Sequence, residues 1–319
     1  MSYRLAPMLH LRQLLVVISI MLIYPDLAVP AERTESAIAI LYPQSSSSAR
    51  AVYDDIRESV SRGVKSRRYR YVEMVLQPAS DRDALRQWAQ RNDVAAVVTL
   101  GRLAHENARS LRPEIPVIAG ALNLEEIADT PGISLTPNPK LLFSRLKELA
   151  PGISRVLIIC NPGRYTQLLR AARDAARDVQ LEISQLPASD IRDATQHYYN
   201  VFRYSNPRTD AIWIIDDTLV DTNVTLPRIM QNAWANNFVI ISNVLEHVSR
   251  GALLATFVDP DGLGDRLVQL AADAASGKSV GQVLGEDVKF AVNARVASHL
   301  GFQLNERSKL RYGLVVGER

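Results

Sequence analysis

Apolar positions along the chain follow two alternating rhythms. Runs such as Ala37-Ile-Ala-Ile-Leu-Tyr-Pro43 are apolar almost throughout and end in a turn residue, as strands covered on both faces do. Between such runs lie segments with apolar residues three and four apart. The first of these, with Ala49, Val52, Ile56 and Val60 on one face, predicts an amphipathic helix. The first half then reads strand Tyr71–Leu76, helix Ala84–Arg91, strand Val94–Leu100, helix Ala104–Arg112 and strand Pro116–Ala119. Strands and helices alternating at this spacing predict right-handed crossovers and a parallel sheet.

The second half replays that order. Arg155-Val-Leu-Ile-Ile-Cys-Asn-Pro162 matches the first strand and its proline turn, and Gln167–Asp178 and Val179–Ser184 give the next helix and strand. Pro187-Ala-Ser-Asp-Ile-Arg-Asp-Ala194 echoes Pro78-Ala-Ser-Asp-Arg-Asp-Ala84 with one residue inserted. Asp210–Asp216 parallels Asp93–Thr99, and Phe238–Ser242 parallels Ile115–Ala119. The expected fold is α/β, with two similar doubly wound parallel-sheet lobes.

Such sheets bind ligands beyond the carboxyl ends of their strands, at helix N-termini and switch points. Two facing lobes would line one cleft and close on it by hinge bending. Candidate contacts are therefore the loop residues after corresponding strands. In the first lobe these are Gln44, Ser45 and Ser46, whose loop offers hydroxyls and free N–H groups to an oxyanion, or serves only as a helix cap and solvated turn. Thr99 and Gly101 end another strand, the glycine allowing close backbone approach or simply a turn. In the second lobe Asn161 and Tyr165 follow one strand, Asp216, Asp217 and Thr218 the next, and Asn243 the last. An aspartate there would pair with a ligand ammonium, or cap a helix starting near Leu219.

The N-terminus adds an address. Arg4 and Arg12 precede the apolar run Leu14–Ile23, and Val29-Pro-Ala31 supplies small residues before Glu32. These are the parts of a cleavable signal peptide over residues 1–31, cut near Ala31, so the mature protein is expected in the periplasm. The lone cysteine, Cys160, leaves no internal disulfide, Cys-rich zinc site or lipid-anchoring cysteine near the cut. The 319 residues suit two domains. With 37 basic against 34 acidic residues, the charge is nearly balanced and gives no nucleic-acid footprint.

Longer motifs carry a resemblance. Pro131-Gly-Ile-Ser-Leu-Thr136, Leu141–Pro151, Val156–Pro162, Val248-Ser-Arg-Gly-Ala-Leu-Leu-Ala255, Gly264–Ala275 with Gly277-Lys278, and Val292–Gly301 together are similar to uncharacterised ABC-transporter substrate-binding proteins of the tryptophan-binding-like type. The resemblance implies a type I periplasmic-binding fold whose chain crosses between lobes three times, near Ser134–Thr136, Gly251–Phe257 and Lys289–Asn293. Residues 37–133 and 252–286 would form the first lobe, 134–251 and 287–301 the second, and 302–319 a C-terminal tail. It further implies a solute receptor that takes a small polar ligand, such as an amino acid, to a membrane ABC permease. The same cleft would equally serve a ligand-sensing module that signals to a membrane sensor protein. The chain departs from the family in two places near the cleft. Leu135-Thr-Pro137 lacks the usual acidic residue, and Gly163-Arg-Tyr-Thr166 replaces a Glu-x-Asn-Ser segment.

Catalytic patterns do not assemble. His10, His105, His197, His247 and His299 are far apart, with no metal-ligand spacing. There is no nucleophile elbow, P-loop or dinucleotide fingerprint, and Cys160 ends an apolar strand. Asp259-Pro-Asp261 with Asp265 lacks the spacing of a calcium loop and reads as a turn opening a helix. The expectation is a binding protein without enzymatic activity, cofactor or metal.

Overall fold

A computed structural model of the chain describes residues 35–44, 47–77, 81–127 and 130–318. The expected signal peptide and the candidate contacts Ser45 and Ser46 lie outside the described residues. In chain order the elements are β1 (Ala37–Pro43), α1 (Ser47–Ser66), β2 (Arg70–Leu76), α2 (Arg82–Arg91), β3 (Val94–Leu100), α3 (Arg102–Ala108), β4 (Val117–Leu122), α4 (Leu124–Ile127) and β5 (Gly132–Pro137). The second half continues with α5 (Pro139–Leu149), β6 (Arg155–Cys160), α6 (Thr166–Asp178), β7 (Glu182–Pro187), α7 (Ile191–Tyr204), β8 (Asp210–Ile214), α8 (Thr225–Ala235), β9 (Val239–Ser242) and α9 (Glu246–Arg250). The chain ends with β10 (Leu254–Val258), α10 (Pro260–Ala275), β11 (Gln282–Gly285), β12 (Val288–Asn293), α11 (Ala294–His299), α12 (Glu306–Lys309) and β13 (Leu314–Val316).

Two sheets organise these elements. The first has the order β11-β5-β4-β3-β1-β2, and the second β13-β12-β10-β9-β8-β6-β7. The repeat is visible in the topology: β5-β4-β3-β1-β2 and β10-β9-β8-β6-β7 are the same arrangement built twice. Pairing is parallel except between β10 and β12. The echoed Pro-Ala-Ser-Asp segments also have a physical purpose. Asp81 caps α2 by accepting the Asp83 N–H at 2.9 Å, and Asp190 caps α7 by accepting the Asp193 N–H at 2.9 Å.

Period-two alternation splits each sheet between two cores, which is what a doubly wound lobe requires. Ile38, Ile40, Ala96 and Val98 face α1 and α10, while Ala39, Leu41 and Val97 face α2 and α3. In the second lobe Val156, Ile158, Ala211 and Trp213 face α5, α6 and α11, while Leu157, Ile159, Ile212 and Ile214 face α7 and α8. The α1–α10 contact is close because Gly264 has no side chain: a Cβ there would lie 2.4 Å from Ser59 Cβ and 2.9 Å from the Ile56 carbonyl oxygen.

The crossings fall at different residues from those the sequence suggests. Ser134–Pro137 still belong to β5 in the first sheet, so the chain leaves at Asn138, whose N–H donates to the Gly285 carbonyl at 2.8 Å. Residues 252–258 belong to the second lobe, because β10 pairs with β9 and β12. The return is at Asp259, whose N–H donates to the Asp287 carbonyl at 2.9 Å. The last crossing separates β11 from β12 at residues 286–287. An apolar run announces a strand but not the sheet that recruits it. Residues 302–318 are likewise no loose tail, since β13 pairs in parallel with β12.

Candidate functional site

Strand order turns back on itself between β1 and β3 in the first sheet, and between β6 and β8 in the second. Loops at the carboxyl ends of those strands diverge and leave a crevice. Gln44 and Gly101 stand at the first switch point; Asn161, Tyr165, Asp216, Asp217 and Thr218 stand at the second.

In the first lobe, Gln44 is exposed and its Oε1 accepts the Gln77 side-chain amide at 2.9 Å. Gly101 opens α3 with φ +80° and ψ 169°, a region that belongs to glycine. A Cβ at Gly101 would sit 2.5 Å from the Tyr53 hydroxyl. Gly101→Ala is therefore expected to cost ~1–3 kcal/mol of stability in denaturant unfolding. An unchanged midpoint would show that the loop and Tyr53 relax freely. Thr99 is fully buried, and its hydroxyl donates to the Ile118 carbonyl at 3.3 Å. It bonds to the neighbouring strand and offers nothing to the crevice, because it lies within β3, whose two faces are both covered by packed side chains.

The second lobe builds a tighter arrangement around one residue. The Tyr165 hydroxyl donates to the Asp216 carbonyl at 3.0 Å, and the Asp216 N–H donates to Asn243 Oδ1 at 3.0 Å. The backbone of Asp216 is thus held from both sides by two of the residues selected from sequence. Its carboxylate is exposed and takes no hydrogen bond from the described residues. Asp217 behaves differently: its Oδ1 accepts the Leu219 N–H at 3.3 Å and the Thr218 hydroxyl at 3.4 Å, as a turn-forming aspartate does. Its Oδ2 is buried without a partner, since Tyr165 has spent its only proton on Asp216. Burial, reinforced by the neighbouring Asp217 charge, pushes the Tyr165 hydroxyl pKa above its ordinary value. Asn161 serves its own turn by accepting the Gly163 N–H at 3.0 Å, and Arg164 reaches across to donate to the Thr218 hydroxyl at 3.2 Å.

A buried pair beneath this loop is absent from the sequence reading. The Ser242 hydroxyl donates to the Ile214 carbonyl at 2.8 Å and accepts the Val244 N–H at 3.0 Å. Its contact with His247 Nδ1 at 2.8 Å must then be one in which the imidazole donates, which places the proton on Nδ1. Burial holds the His247 pKa below its ordinary value, against the pull of the Asp216 and Glu246 charges. A neutral imidazole fixing the ends of β8 and β9 makes the platform under Asp216 rigid. No local motif links positions 242 and 247.

The cysteine and the acidic residues noted in the sequence sit in structural surroundings. Cys160 is completely buried, and burial pushes its thiol up to about 12, so it is no thiolate nucleophile. Asp259 caps α10 by accepting the Asp261 N–H at 3.3 Å, and Asp265 pairs with Arg67 at 2.6 Å. Among the described residues no group of three or more His, Cys, Asp or Glu side chains is placed to hold a metal ion. A groove of about 1030 Å³ lies elsewhere, between α8, α11 and the C-terminal segment, with Trp234 stacked on His299 at 3.7 Å. It contains none of the switch-point residues. No helix among the described residues is long and apolar enough to cross a membrane.

Comparison with known proteins agrees with this architecture. A family model described as ABC transporter substrate binding protein matches residues 136–312. None of the curated proteins matches the chain. Among solved structures, the ligand-free, open form of a substrate-binding protein with adhesive properties from Clostridium difficile is similar at TM-score 0.65 and 14% identity, covering 89% of this chain and 100% of that one. A periplasmic ribose ABC transporter protein from Conexibacter woesei gives 0.52 and 13%, covering 85% and 96%. The ABC domain from Streptococcus pneumonia in complex with L-Trp gives 0.51 and 16%, covering 88% and 100%. These neighbours establish the type I periplasmic-binding fold. With that fold built from a duplicated lobe, and a family match over more than half its length, the chain belongs to the ABC transporter substrate-binding proteins.

Proposed function

We propose that this protein closes the cleft between its lobes on a small polar ligand carrying a cationic amine, and delivers it in the periplasm to a membrane ABC permease. The observation that carries this reading is Asp216. Its backbone is fixed by Tyr165 and Asn243 while its carboxylate stays exposed at the switch point of the second sheet. A carboxylate carried on a fixed backbone has only its own side-chain freedom to lose on binding, and an ammonium supplies the charge-assisted hydrogen bonds it lacks. One relative of this fold is named for ribose and another holds L-Trp, so the fold leaves the ligand open and the chemistry at this position has to choose.

The test is a thermal-shift screen of the purified protein against small amines and amino acids. A ligand that binds only the folded state raises Tm with concentration. Asp216→Asn is expected to weaken binding of any ligand so found by ~30-fold, or about 2 kcal/mol. Its ligand-free unfolding should stay within ~0.5 kcal/mol of the parent, because the side chain is exposed. A screen in which nothing shifts Tm would end the receptor reading. A ligand bound equally well by the Asn variant would move its amine away from Asp216.

A further inference from the structure

The N-terminus of α6 is capped from the other lobe. Helices leave their first N–H groups without partners inside the helix, and a side chain at the N-cap usually satisfies one. Tyr165 occupies that position in α6 and makes no capping hydrogen bond, and the first turn carries no acidic residue. The partner instead is Glu125, a residue of α4 in the first lobe. Its Oε1 accepts the Gln167 N–H at 3.0 Å and the Leu168 N–H at 3.1 Å.

The neighbouring residue shows that α4 itself is anchored to the first lobe. Glu126 accepts the Asn123 N–H at 3.0 Å and pairs with Arg102 of α3. Adjacent glutamates thus divide the work: Glu126 binds its own lobe, and Glu125 reaches into the second. Other ties between the lobes lie at the crossings, where Asn138 bonds to Gly285, Asp259 to Asp287, Arg266 of α10 to Glu286 and Asp287, and Lys289 to Asp259. Two charge-assisted bonds to a helix end, where the macrodipole also favours a negative group, make a directional tie.

We propose that Glu125 is a ligand-independent latch, a first-lobe carboxylate that draws the second lobe to it by capping α6 and so sets the resting separation of the two. As a device of the binding cleft it rests on the receptor reading above. The separation itself is measured without ligand, so the two readings fail separately.

Spin labels at Gln87→Cys in α2 and Arg192→Cys in α7, both exposed positions, report the interlobe distance by pulsed electron resonance in the full chain. Native Cys160 is buried and stays unlabelled. In the absence of ligand, Glu125→Ala is expected to shift the distance distribution to longer values and broaden it. Glu125→Gln, which keeps an acceptor but loses the charge, should fall between Ala and parent. Gln167→Pro removes one of the two donors at a first-turn position that tolerates proline, leaving Glu125 in place, and should also lengthen the distance. If Glu125→Ala is too unstable to label, Gln167→Pro carries the test. A distribution unchanged from the parent in the variant measured overturns the latch.

Discussion

Replacing Trp213 by alanine is expected to destabilise the protein by ~3–5 kcal/mol. Trp213 is the next-to-last residue of β8, is only 2% exposed and meets the Phe143 ring edge-on at 5.3 Å. It fills the space between the second sheet and α5, so alanine would leave a cavity walled by Val156, Ile158 and Phe143, side chains of rigid elements that collapse poorly. Trp213→Phe separates shape from polarity. The indole Nε1 is buried with no hydrogen-bond partner, so phenylalanine removes an unsatisfied donor along with some volume. Its loss should be well under half that of alanine. Urea unfolding followed by circular dichroism measures both. Equal losses would mean that the volume phenylalanine retains contributes nothing and the indole itself is required; a loss below ~1 kcal/mol for alanine would mean the site collapses after all.

Asp210→Asn is the second large effect, and it depends on pH. The carboxylate is 2% exposed and accepts Arg155 Nε at 3.1 Å and Nη2 at 2.6 Å, together with the Asn206 N–H at 2.9 Å. Burial alone would raise its pKa, but the Arg155 and Asn206 hydrogen bonds outweigh burial and hold it below the ordinary carboxylate value. A depressed folded pKa means the fold favours the charged form. The resulting stability is fully present above the unfolded value near ~4 and is lost as pH falls through the folded value. Because Arg155 is partly exposed, solvent tempers the cost of breaking the pair, and we expect ~2–3 kcal/mol at neutral pH. The gap between parent and variant should narrow steadily below pH ~4, as protonation of Asp210 robs the parent of the same interaction. A gap that stays constant down to pH ~2 would show that the charge contributes nothing and only shape is at stake.

Much of the architecture is legible in the sequence because it depends on local patterns written twice. The apolar strands, the Pro-Ala-Ser-Asp segments that turn out to be N-caps at Asp81 and Asp190, and the order of elements all repeat at matching places. Strand ends also lead to the loops at the switch points. Side-chain exposure is harder. Thr99 is named with Gly101 from the same strand end, yet Thr99 lies inside β3 and is buried, while Gly101 lies just past it and opens a helix. The assignment of Leu254–Val258 to a lobe also escapes sequence, since its apolar pattern satisfies either sheet. Interactions between distant segments are the least legible. Glu125 looks like an ordinary surface glutamate until α6 is placed against it, and Ser242 and His247 share no recognisable spacing.

One contact described above also bears on the order in which this protein is made. The first lobe begins at β1, but the helix that covers α1 is α10, and Ser59 Oγ donates to the Asp261 carbonyl at 2.6 Å across 202 residues of sequence. Strand β11, at the edge of the same sheet, comes later still. A growing chain therefore cannot complete its N-terminal core until nearly all of the second lobe has emerged from the ribosome. Contacts of such sequence separation slow folding. The first lobe consequently stays open while most of its partner emerges, and the two are completed almost together, the second only when β12, α11 and β13 have followed β11.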